Sequence, residues 1–159
     1  MKELLELLEK DCTQPVEQLA AILKQTKEEV RAQIKCLEND KIIVKYQPII
    51  DWEQAGEDKV TAIIDVRITP QREVGFDAIA ERICRFPEVV SLYLMSGAYD
   101  LSVMVEGHTL KEVSQFVATK LSTIDGVIST TTHFMLKRYK YAGVIIQDRE
   151  EDHRLVVSP

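Results

Sequence analysis

Val60-Thr61-Ala62-Ile63-Ile64-Asp65-Val66-Arg67-Ile68 is the stretch on which the fold turns. Its β-branched residues and its alternation have the period of a half-buried strand. After it, strand and helix patterns follow in turn. Phe76, Ile79, Ala80 and Ile83 recur at helical spacing and are closed by Phe86-Pro87. Val89 to Met95 reads as a second strand and Tyr99 to Val105 as a third, hinged at Ser96-Gly97-Ala98. Thr109 opens another helix, with Leu110, Val113, Phe116, Val117 and Leu121 inward. Asp125-Gly126 is a turn signal, and Val127 to Lys137 reads as a fourth strand.

Strand, helix, strand, strand, helix, strand is the split βαβ, or ferredoxin-like, order. Two helices on one face of four strands leave the other face bare. An identical sheet would cover it, so a homodimer through the sheet is expected. Tyr141 to Ile146 reads as a fifth strand and Gln147 to His153 as an acidic bridge. Arg154 to Pro159 is an apolar tail with one basic anchor, expected to dock on its own or a neighbouring subunit.

Upstream of the opening stretch the period is helical. Leu4, Leu5, Leu7 and Leu8 form one stripe, and Val16, Leu19, Ala20 and Leu23 a second. Thr13 or Gln14 is placed to cap that second helix, with Pro15 in its first turn. Thr26 and Glu29 have capping-box spacing before a third helix that turns Val30, Ile34 and Leu37 inward. Three helices in about forty residues without a glycine form a compact tri-helical unit. Ile42 to Ile50 then reads as extended, with Pro48 excluding a central strand, and Trp52 to Asp58 as a linker.

The 159 residues are 45% apolar and 29% charged, the balance of a soluble globular protein. No run approaches the roughly 18 to 20 apolar residues that cross a bilayer. Met1-Lys2-Glu3-Leu4-Leu5-Glu6 lacks the basic and apolar regions of a signal peptide, so a cytoplasmic protein with no membrane contact is expected. Cys12, Cys36 and Cys84, like His108, His133 and His153, are too scattered for a metal site, and the thiols read as reduced. No nucleophile–base set, phosphate loop or forced carboxylate pair is present, so neither an enzyme nor a cofactor is expected.

In this order the pieces resemble the Lrp/AsnC, or feast/famine, regulators of bacteria and archaea. The likeness rests on Leu19-Ala20, Val30, Ile34-Lys35, Leu37-Glu38, Ile42-Ile43 and Tyr46 in the first part. In the second it rests on Ser96-Gly97-Ala98-Tyr99-Asp100, Ile124-Asp125-Gly126-Val127, Thr130-Thr131-Thr132 and Leu136-Lys137. It implies an α+β chain: a winged helix-turn-helix over residues 1–58 and a ferredoxin-like βαββαβ sensor over 59–159. It also implies double-stranded DNA as partner, an amino acid or related small molecule as effector, and dimers assembling into octamers that control metabolic genes.

The resemblance directs two sets of residues to function. The third helix would enter the major groove, with Lys27, Glu28, Arg31 and Lys35 outward. Arg31 and Lys35, one turn apart, would reach guanine edges or phosphates, and Lys24, Gln25, Thr26 and Lys27 would hold the backbone. The competing reading pairs Arg31 and Lys35 with Glu28, Glu29 or Glu38 on a solvated face. Family members usually carry Ser, Pro and Thr at this helix start and arginines in its middle. This chain has Lys27-Glu28-Glu29 and Ala32-Gln33.

Charge bears on that departure. The chain is at −6, and residues 1–58 alone hold 8 Lys and Arg against 13 Asp and Glu, a net of −5. Counterion release per subunit would then be modest, and linked sites in an oligomer would supply the rest. The alternative function is a metabolite-binding oligomeric module with weak or lost DNA binding. On the sensor side the resemblance points to Gly97 for close main-chain approach, Tyr99 for a rigid ring, and Asp100 to accept from an ammonium. Thr131 and Thr132 would add hydroxyls, and His133, Phe134 and Met135 a wall.

Overall fold

The computed structural model describes residues 1–69 and 75–146 and divides into two compact units, Met1–Ile50 and a second from Asp51 onward. In the first, α1 (Lys2–Lys10), α2 (Val16–Leu23) and α3 (Lys27–Asn39) enclose Leu4, Leu8, Leu19, Ala20, Val30 and Leu37. These are the apolar positions of the three helical stripes. Burying a leucine of this kind contributes about 1.5–3 kcal/mol, which is what holds so short a set of helices together.

The cap of α2 differs from expectation. Thr13 turns back, its N–H and its hydroxyl both donating to Asp11 Oδ1 at 2.9 and 2.6 Å, so α2 starts after Pro15 with no side-chain cap. Lys24 ends α2 in the left-handed region, at φ 55°, ψ 41°. At α3 the capping box is complete. Glu29 N–H donates to Thr26 Oγ1 at 3.2 Å, and Thr26 N–H donates to Glu29 Oε2 at 2.8 Å. Thr26→Ala should cost about 1 kcal/mol in denaturant unfolding followed by helical signal. An unchanged midpoint would mean that the box does not hold α3.

Residues 42–50 form no strand. Pro48 lacks an N–H, and among the described residues nothing lies alongside this stretch to complete a ladder. Tyr46 ties it down by donating its hydroxyl to Glu38 Oε1 at 3.1 Å. A wing built of paired strands is therefore missing from the described residues.

In the second unit β1 (Val60–Ile68), β2 (Val89–Leu94), β3 (Leu101–Gly107) and β4 (Val127–Phe134) form one antiparallel sheet in the order β2-β3-β1-β4. With α4 (Asp77–Cys84) and α5 (Leu110–Phe116) this is the ferredoxin-like arrangement. From Ala62 onward β1 alternates: Ala62, Ile64, Val66 and Ile68 are buried against α4 and α5, with Leu101, Val103 and Val105 of β3 beside them. Ile79 and Ile83 of α4, and Val113 and Phe116 of α5, complete that core. The register places Ile63, Asp65, Arg67, Ser102, Met104, Tyr93, Thr131 and His133 on the opposite face. At the turn before β4, Gly126 takes φ +94°, where a Cβ would stand 2.7 Å from Ile79 Cδ1, so any side chain there would be strained.

Three segments depart from their sequence pattern. β3 begins at Leu101 rather than Tyr99, because Met95 N–H closes the hairpin on Asp100 O at 2.8 Å. β4 ends at Phe134 rather than Lys137. Met135 N–H makes a last bond to Thr61 O at 2.9 Å, and Leu136 is exposed. Tyr141 to Ile146 is no fifth strand of the sheet. It folds on itself as β5 (Lys140–Tyr141) and β6 (Val144–Ile145), turning through Ala142 at φ 45°. The acidic bridge after Ile146 and the apolar tail lie outside the described residues.

Candidate functional site

In the helical unit, α3 exposes Lys27, Glu28, Arg31 and Lys35 along its outer side, with Lys24 and Thr26 exposed at the turn before it. Gln25 is half-buried and accepts from Gln33 Nε2 at 3.1 Å, so it braces the turn from within. The cations are not paired as the sequence suggested. Glu29 is consumed by the cap, and its hydrogen bonds from the Thr26 backbone and hydroxyl hold its carboxyl below the usual range. Glu17, on the first turn of α2, takes both Lys27 at 3.2 Å and Arg31 at 3.8 Å.

Backbone hydrogen bonding at its own position, then the Lys27 contact, holds the Glu17 carboxyl low, so it stays ionised near neutral pH. Both pairs are more than half exposed, and such pairs hold their partners weakly. Lys35 makes no ion pair among the described residues. Sequence reasoning missed Glu17 because its partners lie ten and fourteen residues on, brought close only by the α2–α3 turn.

In the sheet unit the hairpin Met95–Asp100 is bolted to the end of β1. Asp100 N–H donates to Val66 O at 3.0 Å, and Asp100 Oδ2 accepts from Ile68 N–H at 2.8 Å. Arg67 donates from Nη2 to Ala98 O at 2.9 Å, and its guanidinium lies 5.9 Å from the Tyr99 ring centroid. Tyr99 shares a hydrogen bond with Thr131 Oγ1 at 3.2 Å. Gly97 sits at the tip with φ +154°, and nothing lies within 4 Å of where a Cβ would be.

The pleat divides the remaining candidates. Thr131 and His133 lie on the open face of the sheet, where His133 Nε2 meets Asp65 Oδ2 at 3.2 Å. Thr132 and Phe134 are register partners of Ile64 and Ala62, and Phe134 packs against the core. Met135 meets β1 through its N–H. The structure thus gathers Gly97, Tyr99, Asp100 and Thr131 around Arg67, continues to His133 through Asp65, and sends Thr132 and Phe134 to the far face. Alternation along β1 turns Asp65, the one acid in that apolar run, and Arg67 to this face, but neither was among the effector candidates. One Asp100 oxygen is already committed to the backbone, so the residue builds the hairpin before it meets any ligand.

Among the described residues no group of three or more His, Cys, Asp or Glu is placed to hold a metal ion. No helix among them is long and apolar enough to cross a membrane. A family model described as the Lrp/AsnC ligand binding domain matches residues 61–145, the sheet unit with the hairpin at its centre. The chain belongs to the Lrp/AsnC family. Over 158 residues it is 49% identical to the uncharacterized HTH-type transcriptional regulator YugG of Bacillus subtilis (strain 168), covering 99% of this chain and 95% of that protein. It is 25% identical over 140 residues to the DNA-binding transcriptional activator DecR of Escherichia coli (strain K12), covering 88% and 91%.

Among solved structures, the Neisseria meningitidis regulator NMB0573 in complex with L-Met shares the fold with a TM-score of 0.69. That likeness covers 87% of this chain and 88% of the other at 23% identity. The Lrp/AsnC relatives are transcriptional regulators, not enzymes.

Proposed function

We propose that this Lrp/AsnC protein is a sequence-specific DNA-binding regulator of metabolic genes in the cytoplasm, responsive to an amino acid or related small molecule. Residues 1–58 bind DNA in this reading, and residues 59–159 sense and assemble. The observation that carries it is α3: a helix capped at Thr26, placed by the left-handed turn at Lys24, with Lys27, Arg31 and Lys35 outward. The effector site is the hairpin end of the sheet, from Gly97 to Asp100 with Thr131 and Arg67. The L-Met complex of the Neisseria fold neighbour makes an amino acid the first class to test. Dimers form through the open sheet face and join into a larger ring, up to an octamer, whose linked sites raise a modest affinity per subunit.

Titration of the full-length protein on the DNA upstream of its own gene, across a salt series, tests this. Sequence-dependent binding that weakens steeply with salt is expected, and an amino acid should shift it. A second reading, a metabolite-binding oligomer with weak or lost DNA binding, is favoured by Glu17, whose single carboxylate pairs with two of the three cations on α3. Amino-acid-dependent assembly without DNA binding at low salt would establish that reading instead. Glu17→Gln separates them further. Freeing Lys27 and Arg31 should tighten DNA binding at low salt and steepen the log–log salt slope by about 0.9 for each additional phosphate engaged. No change in affinity or slope would mean that Glu17 does not restrain these cations.

A further inference from the structure

Charge is spread unevenly along the chain. Gly126 to Gln147 is its longest stretch without an Asp or Glu, and the cations of that stretch, Lys137, Arg138 and Lys140, fall close together. Tyr139 and Tyr141 alternate with them. A local excess of cations on a chain at −6 marks where a polyanion would be held.

This segment folds as a ribbon. Lys140 pairs with Ile145 and Tyr141 with Val144, and Ile146 N–H donates to Tyr139 O at 3.0 Å. Ala142 at φ 45° and Gly143 at φ 83° make a two-residue turn with both φ positive, the tight turn that suits twisted strands. Tyr139 is 71% exposed and Tyr141 44%. The Arg138 guanidinium lies 4.7 Å from the Tyr141 ring centroid, and Lys137 Nζ lies 5.4 Å from that of Tyr139. Stacking of this kind orders a guanidinium while leaving its donors at the rim of the ring. Among the described residues neither Arg138 nor Lys140 pairs with a carboxylate, unlike Lys27 and Arg31 beside Glu17.

We propose that the β5–β6 hairpin is a second DNA contact, in the sheet unit, where Arg138 and Lys140 hold duplex phosphates irrespective of sequence. The inference rests on the DNA-binding reading of α3 and adds to it. Counterion release requires cations that meet phosphate. On α3 two of the three are shared with Glu17, whereas the hairpin brings its charge without an acid beside it in sequence. A two-stranded ribbon also fits the width of the major groove, where its cations meet the phosphates at the edge. A second copy docking on Tyr139, Val144 and Ile145 would instead have to desolvate those cations.

The full-length protein would be titrated by anisotropy on the DNA upstream of its own gene and on a random-sequence duplex of equal length, between about 50 and 200 mM salt. The double variant Arg138→Gln/Lys140→Gln should lose roughly tenfold or more on both duplexes near 100 mM salt, with the log–log slope shallower by about 0.9 for each phosphate lost. The preference between the two duplexes should stay as it is. Arg138→Lys/Lys140→Arg keeps both charges and should bind with the native slope, which separates charge from the shape of the hairpin. Assembly size, read by light scattering, should be the same in all three proteins. Lys35→Ala run in parallel keeps the two readings apart: no DNA binding by the native protein at low salt removes both. Native binding that the neutral pair leaves unchanged overturns this proposal and spares α3. Loss of binding in the charge-keeping pair, or an assembly split by the neutral pair, would overturn it too, the second by assigning the hairpin to contacts between copies of the chain.

Discussion

Asp100→Ala is expected to remove about 2–3 kcal/mol from the stability of the sheet unit, read as a lower denaturant midpoint with an unchanged slope. The magnitude follows from what is left behind. Ile68 is 3% exposed, and its N–H, now bonded to Asp100 Oδ2 at 2.8 Å, loses its partner once the carboxylate is gone. Such an orphaned donor costs about 1–3 kcal/mol beyond the missing charge-assisted bond. The hairpin should loosen too, because Asp100 holds Val66 and Met95 through its own backbone. Asp100→Asn keeps an acceptor at the same place and should recover more than half of the loss. If the residue is first a hairpin builder, the Asn variant keeps the response to an amino acid, while the Ala variant loses both stability and response. An Ala variant within about 0.5 kcal/mol of the native protein would show that Ile68 N–H finds another acceptor.

What could be read beforehand divides by sequence separation. The Thr26–Glu29 cap spans three residues, and its chemistry is local, so its spacing was enough to place α3. The strand order was legible because β-branched alternation and helical spacing each persist for a whole element. The ends of elements were not, since they are decided by bonds between distant residues. Met135 makes the last contact of β4 only because Thr61 presents a carbonyl there, and β3 starts late because Met95 closes on Asp100. The effector set shows the same limit in another form. Thr131 and Thr132 read as hydroxyls and His133, Phe134 and Met135 as a wall of one site, but a strand alternates sides, and Phe134 goes to the core opposite Ala62. The pleat of β1 turns Asp65 outward from sequence alone, but that it and Arg67 share the open face with Thr131 and His133 depends on the pairing of β1 with β4. Glu17 was out of reach, because its place beside Lys27 and Arg31 depends on how α2 and α3 meet at the turn.

Arg31→Ala and Lys35→Ala should each weaken operator binding, and the way binding weakens tells what each side chain touches. Removing a side chain that reads a base should cost about 1–3 kcal/mol, roughly 5- to 150-fold in Kd, and relax preference at one position of the site. Removing one that holds a phosphate should weaken all sequences alike and reduce the salt slope by about one. Arg31 starts from an ion pair with Glu17 at 3.8 Å, whereas Lys35 has none among the described residues. Arg31 must therefore exchange one anion for another on binding, and part of its gain is offset by leaving Glu17. Lys35 brings its full charge. The Lys35 variant should show the larger fall in salt slope, and the Arg31 variant the larger fall in sequence preference, because a guanidinium matches the guanine edge in two bonds. Combining Glu17→Gln with Arg31→Ala checks the exchange directly. If Glu17 restrains Arg31, the gain from removing Glu17 shrinks in the Arg31→Ala background, to what the release of Lys27 alone supplies. Equal gains in both backgrounds would show that Arg31 and Glu17 act independently and that Glu17 does not restrain Arg31.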